Sequence, residues 1–91
     1  MATSTIKQSA AKYKAISGIT DSVGDISLSL NVQTSIPFAF LITGGNVPKT
    51  AARVFVQGSG GSVWWVKFVS DSEITNIANA SVEGKVYYFD V

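Results

Sequence analysis

The acidic side chains that lie closest together along the chain form two short pairs, Asp71 with Glu73 and Asp21 with Asp25. A carboxylate pair could serve as a general acid and base, or could contribute to a calcium site. Calcium, however, takes about six to eight oxygen ligands, and aspartate near glycine commonly closes a turn through its own side chain. We therefore interpret both pairs as solvated or turn-forming groups and expect no metal site.

Other catalytic groups are difficult to assemble from this composition. Serine is abundant, for example at Ser27 and Ser29, but the chain contains no histidine and no cysteine. The usual serine triad needs a histidine base. The glycine-containing segment 45–50 has Pro48 where a phosphate-binding loop requires glycine, and segment 58–61 joins two predicted strands. These residue types predict a protein that is not an enzyme and binds no cofactor.

The overall composition favours binding through apolar surface. Apolar residues make up 46% of the 91 positions, charged residues make up 14%, and the formal net charge is +1. A domain of this size still exposes about 40% of the surface of its unfolded chain, so self-association is the expected source of extra stability. We expect a homo-oligomer. No nucleic-acid partner is expected without a basic run, and no membrane insertion without a longer apolar stretch.

The spacing of apolar residues predicts an all-β fold. Ile26, Leu28 and Leu30 alternate with small polar residues, as in a half-buried strand, and turn signals recur at intervals of about 8 to 12 residues. Segments 51–57 and 62–70 are expected to form a hairpin. The prediction is a small antiparallel β-sandwich or jelly-roll-like domain of about six to eight short strands.

This sandwich is expected to occupy residues 13–91, after a flexible or anchoring arm at residues 1–12. Two of its segments carry specific expectations. Phe38 should share a face with Phe40 and Ile42 while the opposite face is also covered. The polar stretch 71–81 should hold one short helical turn.

The aromatic residues near the C-terminal end indicate which surfaces are functional. On the strand around residues 63–69, we expect Trp64, Val66 and Phe68 to face the core while Trp65 faces outward. The last strand, 82–91, shows the same two apolar faces. A single sandwich uses one face of each strand for its core, so the second face must contact something else.

We expect the outward-facing residues of these two strands to form one surface. Three alternatives are open for that surface: a subunit interface, a sugar-stacking platform, or coverage by the N-terminal arm or a loop. The candidate residues for an oligomer interface or ligand platform are Trp65, Val69, Tyr87, Phe89 and Val91.

Three stretches of the sequence also carry a resemblance. They are residues 20–30 (TDSVGDISLSL), 63–67 (VWWVK) and 82–88 (VEGKVYY). Over residues 13–91 the chain resembles a loose group of bacteriophage structural modules. In that group a Thr-Asp-x-x-Gly-x-Ile-x-Leu run opens the domain, a strand with tryptophan lies in the middle, and a Val-x-Gly-x-Val-Tyr-Tyr strand closes it.

The resemblance implies a small β domain on the surface of a phage particle, usually as a trimer. Such domains lie at the ends of head or tail fibres or decorate the capsid, where capsid or tail proteins would be the partners. Because the long N-terminal shaft of a fibre is missing here, we expect either a stand-alone decoration protein or an excised fibre tip. A module that binds a cell-surface glycan or another host receptor is the alternative.

Overall fold

The computed structural model describes residues 2–4, 10–58, 60–72 and 74–90. Six β-strands and no helix are present among these residues, so none of them belongs to a helix that could cross a membrane. The strands are β1 (Lys12–Ile19), β2 (Asp25–Asn31), β3 (Ser35–Gly45), β4 (Ala52–Gln57), β5 (Val63–Val69) and β6 (Ser81–Asp90). The predicted all-β fold is confirmed.

The strands form two antiparallel sheets of three strands each. In sheet A the order is β1-β6-β3, and in sheet B it is β2-β5-β4. The predicted hairpin is present, with β4 and β5 paired from Ala52 opposite Val69 to Gln57 opposite Trp64. All other paired strands are distant in the sequence, so the chain passes repeatedly from one sheet to the other. This arrangement is a small β-sandwich, as predicted.

The core lies between the inner faces of the two sheets. At its centre the rings of Phe40 and Phe68, from opposite sheets, meet edge to face with 5.3 Å between their centroids. Trp64 packs beside them, and its Nε1 donates a 2.8 Å hydrogen bond across the sandwich to the carbonyl of Ser35. Val66 and Phe68 are fully buried, so the predicted phase of β5 is confirmed. The other large buried side chains of the strands are Leu28, Leu30, Ile42, Val82, Val86 and Tyr88.

The buried hydroxyl of Thr20 connects the turn after β1 to the segment before β6. Its Oγ1 donates to the carbonyl of Ile77 at 2.8 Å and accepts from the N–H of Ala80 at 3.0 Å. The hydroxyl therefore satisfies its own hydrogen-bonding capacity and that of two backbone groups. This contact stabilises the end of sheet A without adding apolar surface.

The predicted faces of β3 are wrong at Phe38. The pairing of β3 with β6 shifts register between Pro37 and Ala39, so one extra residue is inserted and the alternation reverses. As a result Phe38 is 47% exposed, whereas Phe40 is only 6% exposed. The expectation that both faces of this strand are covered is also wrong, because Leu41 on the outer face is exposed.

The predicted helical turn between β5 and β6 is absent from the described residues of this segment, which exclude residue 73. Asn76 instead forms an isolated antiparallel bridge with Val69. The Oγ of Ser70 accepts hydrogen bonds from the N–H groups of Ile74 and Thr75 at 3.3 and 3.2 Å. The N–H groups that would donate to backbone carbonyls in a helix thus donate to a serine side chain instead.

Candidate interaction surface

The predicted interface residues do not form one surface. β5 and β6 are the central strands of different sheets, so their outer faces lie on opposite sides of the sandwich. Trp65 and Val69 belong to the outer face of sheet B, and Tyr87 and Phe89 belong to the outer face of sheet A. Val91 lies outside the described residues. The expectation of a single surface built from both strands is therefore wrong.

The outer face of sheet A carries large apolar side chains on all three of its strands. Register places Tyr13 of β1 opposite Tyr87, and Ile36 of β3 opposite Phe89. The register shift in β3 adds Phe38 to the same side, and Leu41 lies opposite Lys85. We call this surface the aromatic face; its members are Tyr13, Ile36, Phe38, Leu41, Tyr87 and Phe89.

The rings of the aromatic face contact one another in two pairs. Phe38 and Phe89 are stacked, with centroids 4.6 Å apart and an interplanar angle of 20°. Tyr13 and Tyr87 are tilted by 42°, with centroids 5.9 Å apart. In both pairs the ring on β6 is half-buried while the ring from the neighbouring strand is exposed. The pairs therefore form a raised apolar surface on each side of β6.

Charged groups lie within this face and at one end of its sheet. The Nζ of Lys85 lies 5.2 Å from the centroid of the Tyr13 ring, a cation–π contact. At one end of the sheet Lys12 forms an ion pair with Asp90, which also accepts a 3.3 Å hydrogen bond from the hydroxyl of Ser35. The hydrogen bond from Lys12 lowers the pKa of Asp90 and raises the pKa of Lys12. The face therefore combines exposed aromatic rings with a cation on its central strand.

The outer face of sheet B has a different composition. Trp65 lies between Val56 and Ser27 of the flanking strands and is half-buried. Its ring covers Gly58, where an added Cβ would come within 2.3 Å of the indole Nε1. Beside it the Nζ of Lys67 lies 3.2 Å from a carboxylate oxygen of Asp25. This face therefore mixes apolar and charged side chains, and its tryptophan is half-buried.

A shallow depression of about 270 Å³ lies beside Trp65 and is lined by Asp21, Asp25 and Gln57, among others. Asp21 is engaged in the turn, since its carboxylate accepts 2.9 Å hydrogen bonds from the N–H groups of Asp25 and Val23. These bonds lower the pKa of Asp21. The interpretation of this acidic pair as turn-forming is thus supported for Asp21, and Asp25 is paired with Lys67.

The remaining acidic residues and other potential metal ligands do not form a cluster in the part of the chain that the structure describes. In the described ranges, no group of three or more potential ligands among histidine, cysteine, aspartate and glutamate could hold a metal ion. Asp71 is exposed, and Glu73 lies outside the described residues.

Sequence reasoning identified two members of the aromatic face, Tyr87 and Phe89, and missed the other four. For Tyr13 and Leu41 the sequence contained the necessary information, because simple alternation along β1 and β3 places both side chains on the face that points away from the core. For Phe38 the sequence contained no such information, since its orientation depends on a register shift that the local pattern does not reveal.

Comparisons with known proteins identify no relatives of this chain. No protein-family model matches it, and neither a curated protein nor a solved structure shows significant similarity.

Proposed function

We propose that this chain is a non-enzymatic binding module that self-associates by burying its aromatic face. The observation that carries the proposal is the distribution of exposed apolar side chains. Of the eight large exposed ones among the described residues, five lie on the outer face of sheet A: Tyr13, Ile19, Ile36, Phe38 and Leu41. Exposed large apolar side chains that are concentrated on one face, on a domain with few charges, are typical of an interaction site.

The rings of the aromatic face are well suited to a protein partner. Aromatic side chains bury a large area with few rotatable bonds, and they are enriched at the centres of interfaces. The stacked pair of Phe38 and Phe89 is held by the pairing of β3 with β6, so little side-chain freedom is lost on binding. A second copy offers the same surface, and contact between identical patches produces a symmetric interface.

A role in a phage particle is part of the proposal and is supported by the sequence resemblance over residues 13–91. In that role the module would lie on the surface of the particle, attached to capsid or tail proteins. Co-purification of the wild-type chain with phage particles would test this part separately from self-association, and absence of the chain from purified particles would count against it.

The experiment for self-association is sedimentation equilibrium over a micromolar concentration series. The wild-type chain is expected to be oligomeric, and the double variant Phe38→Ser/Leu41→Ser is expected to shift towards monomer. Val54→Ser is the matched control, because Val54 is an exposed apolar residue on the outer face of sheet B. A wild-type chain that stays monomeric at high micromolar concentration would refute the proposal.

A glycan-binding or host-receptor role is the second candidate, and the depression beside Trp65 favours it. An indole ring next to carboxylate and amide groups is the kind of site that binds a sugar ring. A glycan array with the wild-type chain and the Trp65→Ser variant tests this role. Binding that is lost in Trp65→Ser but kept in Phe38→Ser/Leu41→Ser would favour the receptor role over assembly.

A further inference from the structure

The four edge strands of the sandwich differ in how well they could pair with another chain. A regular edge exposes a row of free backbone groups, and proteins protect such edges with bulges, prolines, charges or short strands. β3 contains Pro37 and two register shifts along its pairing with β6. β2 has a register shift, and Ser29 within it has a left-handed φ of 54°. Both strands are therefore poor templates for a further strand.

β4 is protected in another way. It has only six residues, and Arg53 lies on its inner side. The guanidinium of Arg53 donates 3.0 Å hydrogen bonds to the carbonyls of Ala51 and Lys49. A short strand with an inward-pointing charge is a common form of edge protection.

β1 lacks a bulge or a proline. All eight of its residues pair in register with β6, from Lys12 opposite Tyr88 to Ile19 opposite Ser81. Six of the eight are exposed. Its two lysines are already engaged, Lys12 with Asp90 and Lys14 with the carbonyl of Ser29 at 3.2 Å. The second half of the strand, from residue 15 to residue 19, carries no charge at all.

The hydrogen bond at the end of the β1–β6 ladder shows which residues of β1 direct their N–H and C=O groups away from β6. The N–H of Thr20 donates to the carbonyl of Ala80 at 2.9 Å, which continues the same register by one residue. Hydrogen-bonded pairs in an antiparallel ladder alternate with period two. The even-numbered residues of β1 therefore direct their backbone N–H and C=O groups to β6. The residues that direct their N–H and C=O groups to the open edge are Tyr13, Ala15, Ser17 and Ile19.

We infer that this edge pairs antiparallel with β1 of a second copy, around a two-fold axis at Ile16. In this register Tyr13 lies opposite Ile19 of the second copy, and Ala15 lies opposite Ser17. Tyr13 and Ile19, the two exposed large apolar side chains of β1, are 60% and 69% exposed, and this register brings them together. Lys14 lies opposite Gly18, so no like charges meet.

The pairing extends sheet A into a continuous sheet of six strands and joins two aromatic faces side by side. It shares with the proposed function the premise that the chain self-associates, but its contact is made by the backbone edge of β1, and Tyr13 is the one member of the aromatic face that takes part. A two-fold contact gives an even number of copies, in contrast to the trimer that the resemblance implies.

Three single-cysteine variants test the register, since the chain contains no cysteine of its own. They are Ala15→Cys, Ile16→Cys and Ser17→Cys. On the axis, the two Ile16 positions are a non-hydrogen-bonded pair with Cα atoms about 4.5 Å apart, within disulfide range. The two Ala15 positions, like the two Ser17 positions, are separated by about 8 Å, which is too far.

On mild oxidation, most of the Ile16→Cys protein is expected to become a disulfide-linked dimer. The other two variants should each form at least tenfold less of this dimer. Preferential cross-linking of Ala15→Cys or Ser17→Cys would overturn the register. Absence of cross-linking in all three, with the chain still oligomeric, would overturn edge pairing and leave the aromatic face as the contact. The series is repeated with Phe38→Ser, where cross-linking of Ile16→Cys should persist.

A proline at Ser17 provides a second measurement that does not depend on cysteine chemistry. Ser17→Pro removes an N–H group that points to the open edge, so pairing with β6 is retained. Ser17→Ala is the matched control. The proline variant is expected to weaken association at least tenfold while circular dichroism keeps its β-type spectrum. Equal association of the two variants would contradict the inference.

Discussion

The outer faces of the two sheets differ although the sheets are alike in size. Sheet A presents Tyr13 and Phe38 with their rings exposed and supported by rings on β6. Sheet B presents Trp65, which is half-buried and folded over Gly58, next to the ion pair of Lys67 and Asp25. Aromatic content alone therefore does not distinguish the two faces; the support and the exposure of each ring do.

The largest expected effect comes from the core that holds both faces in place. Phe68→Ala removes a fully buried ring that contacts Phe40 across the sandwich. Such a change costs about 3 to 5 kcal/mol, comparable with the whole free energy of unfolding of a small domain. Soluble protein should largely disappear. If thermal unfolding showed an unchanged melting temperature, the assignment of the inner face of β5 would be wrong.

A comparison of Phe38→Ala with Trp65→Ala tests the difference between the faces directly. A central interface aromatic often contributes about 2 kcal/mol, so Phe38→Ala should weaken association about 30-fold with little change in monomer stability. Trp65→Ala should lower stability by about 1 to 2 kcal/mol, because a half-buried ring is lost, and leave association unchanged. Sedimentation and chemical denaturation measure the two quantities. The opposite pattern would assign the interface to sheet B.

Thr20→Val tests whether the aromatic face depends on the connection at its end. The substitution leaves the carbonyl of Ile77 and the N–H of Ala80 without their partner. Two part-buried groups left without a partner should lower the free energy of unfolding by about 1 to 3 kcal/mol in total. The oligomer should persist at concentrations where the domain is folded. Thr20→Ser, which keeps the hydroxyl, should recover most of the loss in urea denaturation.

The smallest expected effect concerns acid. Because Lys12 lowers the pKa of Asp90 in the folded chain, this ion pair contributes stability above the pKa of an unfolded aspartate. The contribution is lost below about pH 4, as the pH falls through the lowered pKa of Asp90 in the folded chain. Both groups are exposed, so the effect should be small and should weaken in salt. Asp90→Asn should flatten this part of the pH dependence of urea denaturation; an unchanged profile would show that the pair contributes nothing.

Much of the local structure was predictable from the sequence, because side chains alternate with period two along any strand. The inner residues Val66 and Phe68, the outward direction of Tyr87 and the hairpin of β4 with β5 all follow from alternation and turn residues. The absence of cysteine and histidine likewise excluded disulfides and the commonest catalytic base.

Only the tertiary structure decided which strands share a sheet. Trp65 and Tyr87 have equivalent local patterns, yet pairing between strands distant in the sequence places them on opposite sides of the sandwich. The register shift that exposes Phe38 is likewise set by the partner strand, not by the neighbours of Phe38 in the chain. The choice of partner strand and the register depend on contacts between residues that are distant in the sequence. A local pattern with period two is compatible with any partner strand and therefore does not specify either. For this reason the sequence determined the β-strands and the inner face of β5, while the orientation of Phe38, the aromatic face and the open edge of β1 required the fold.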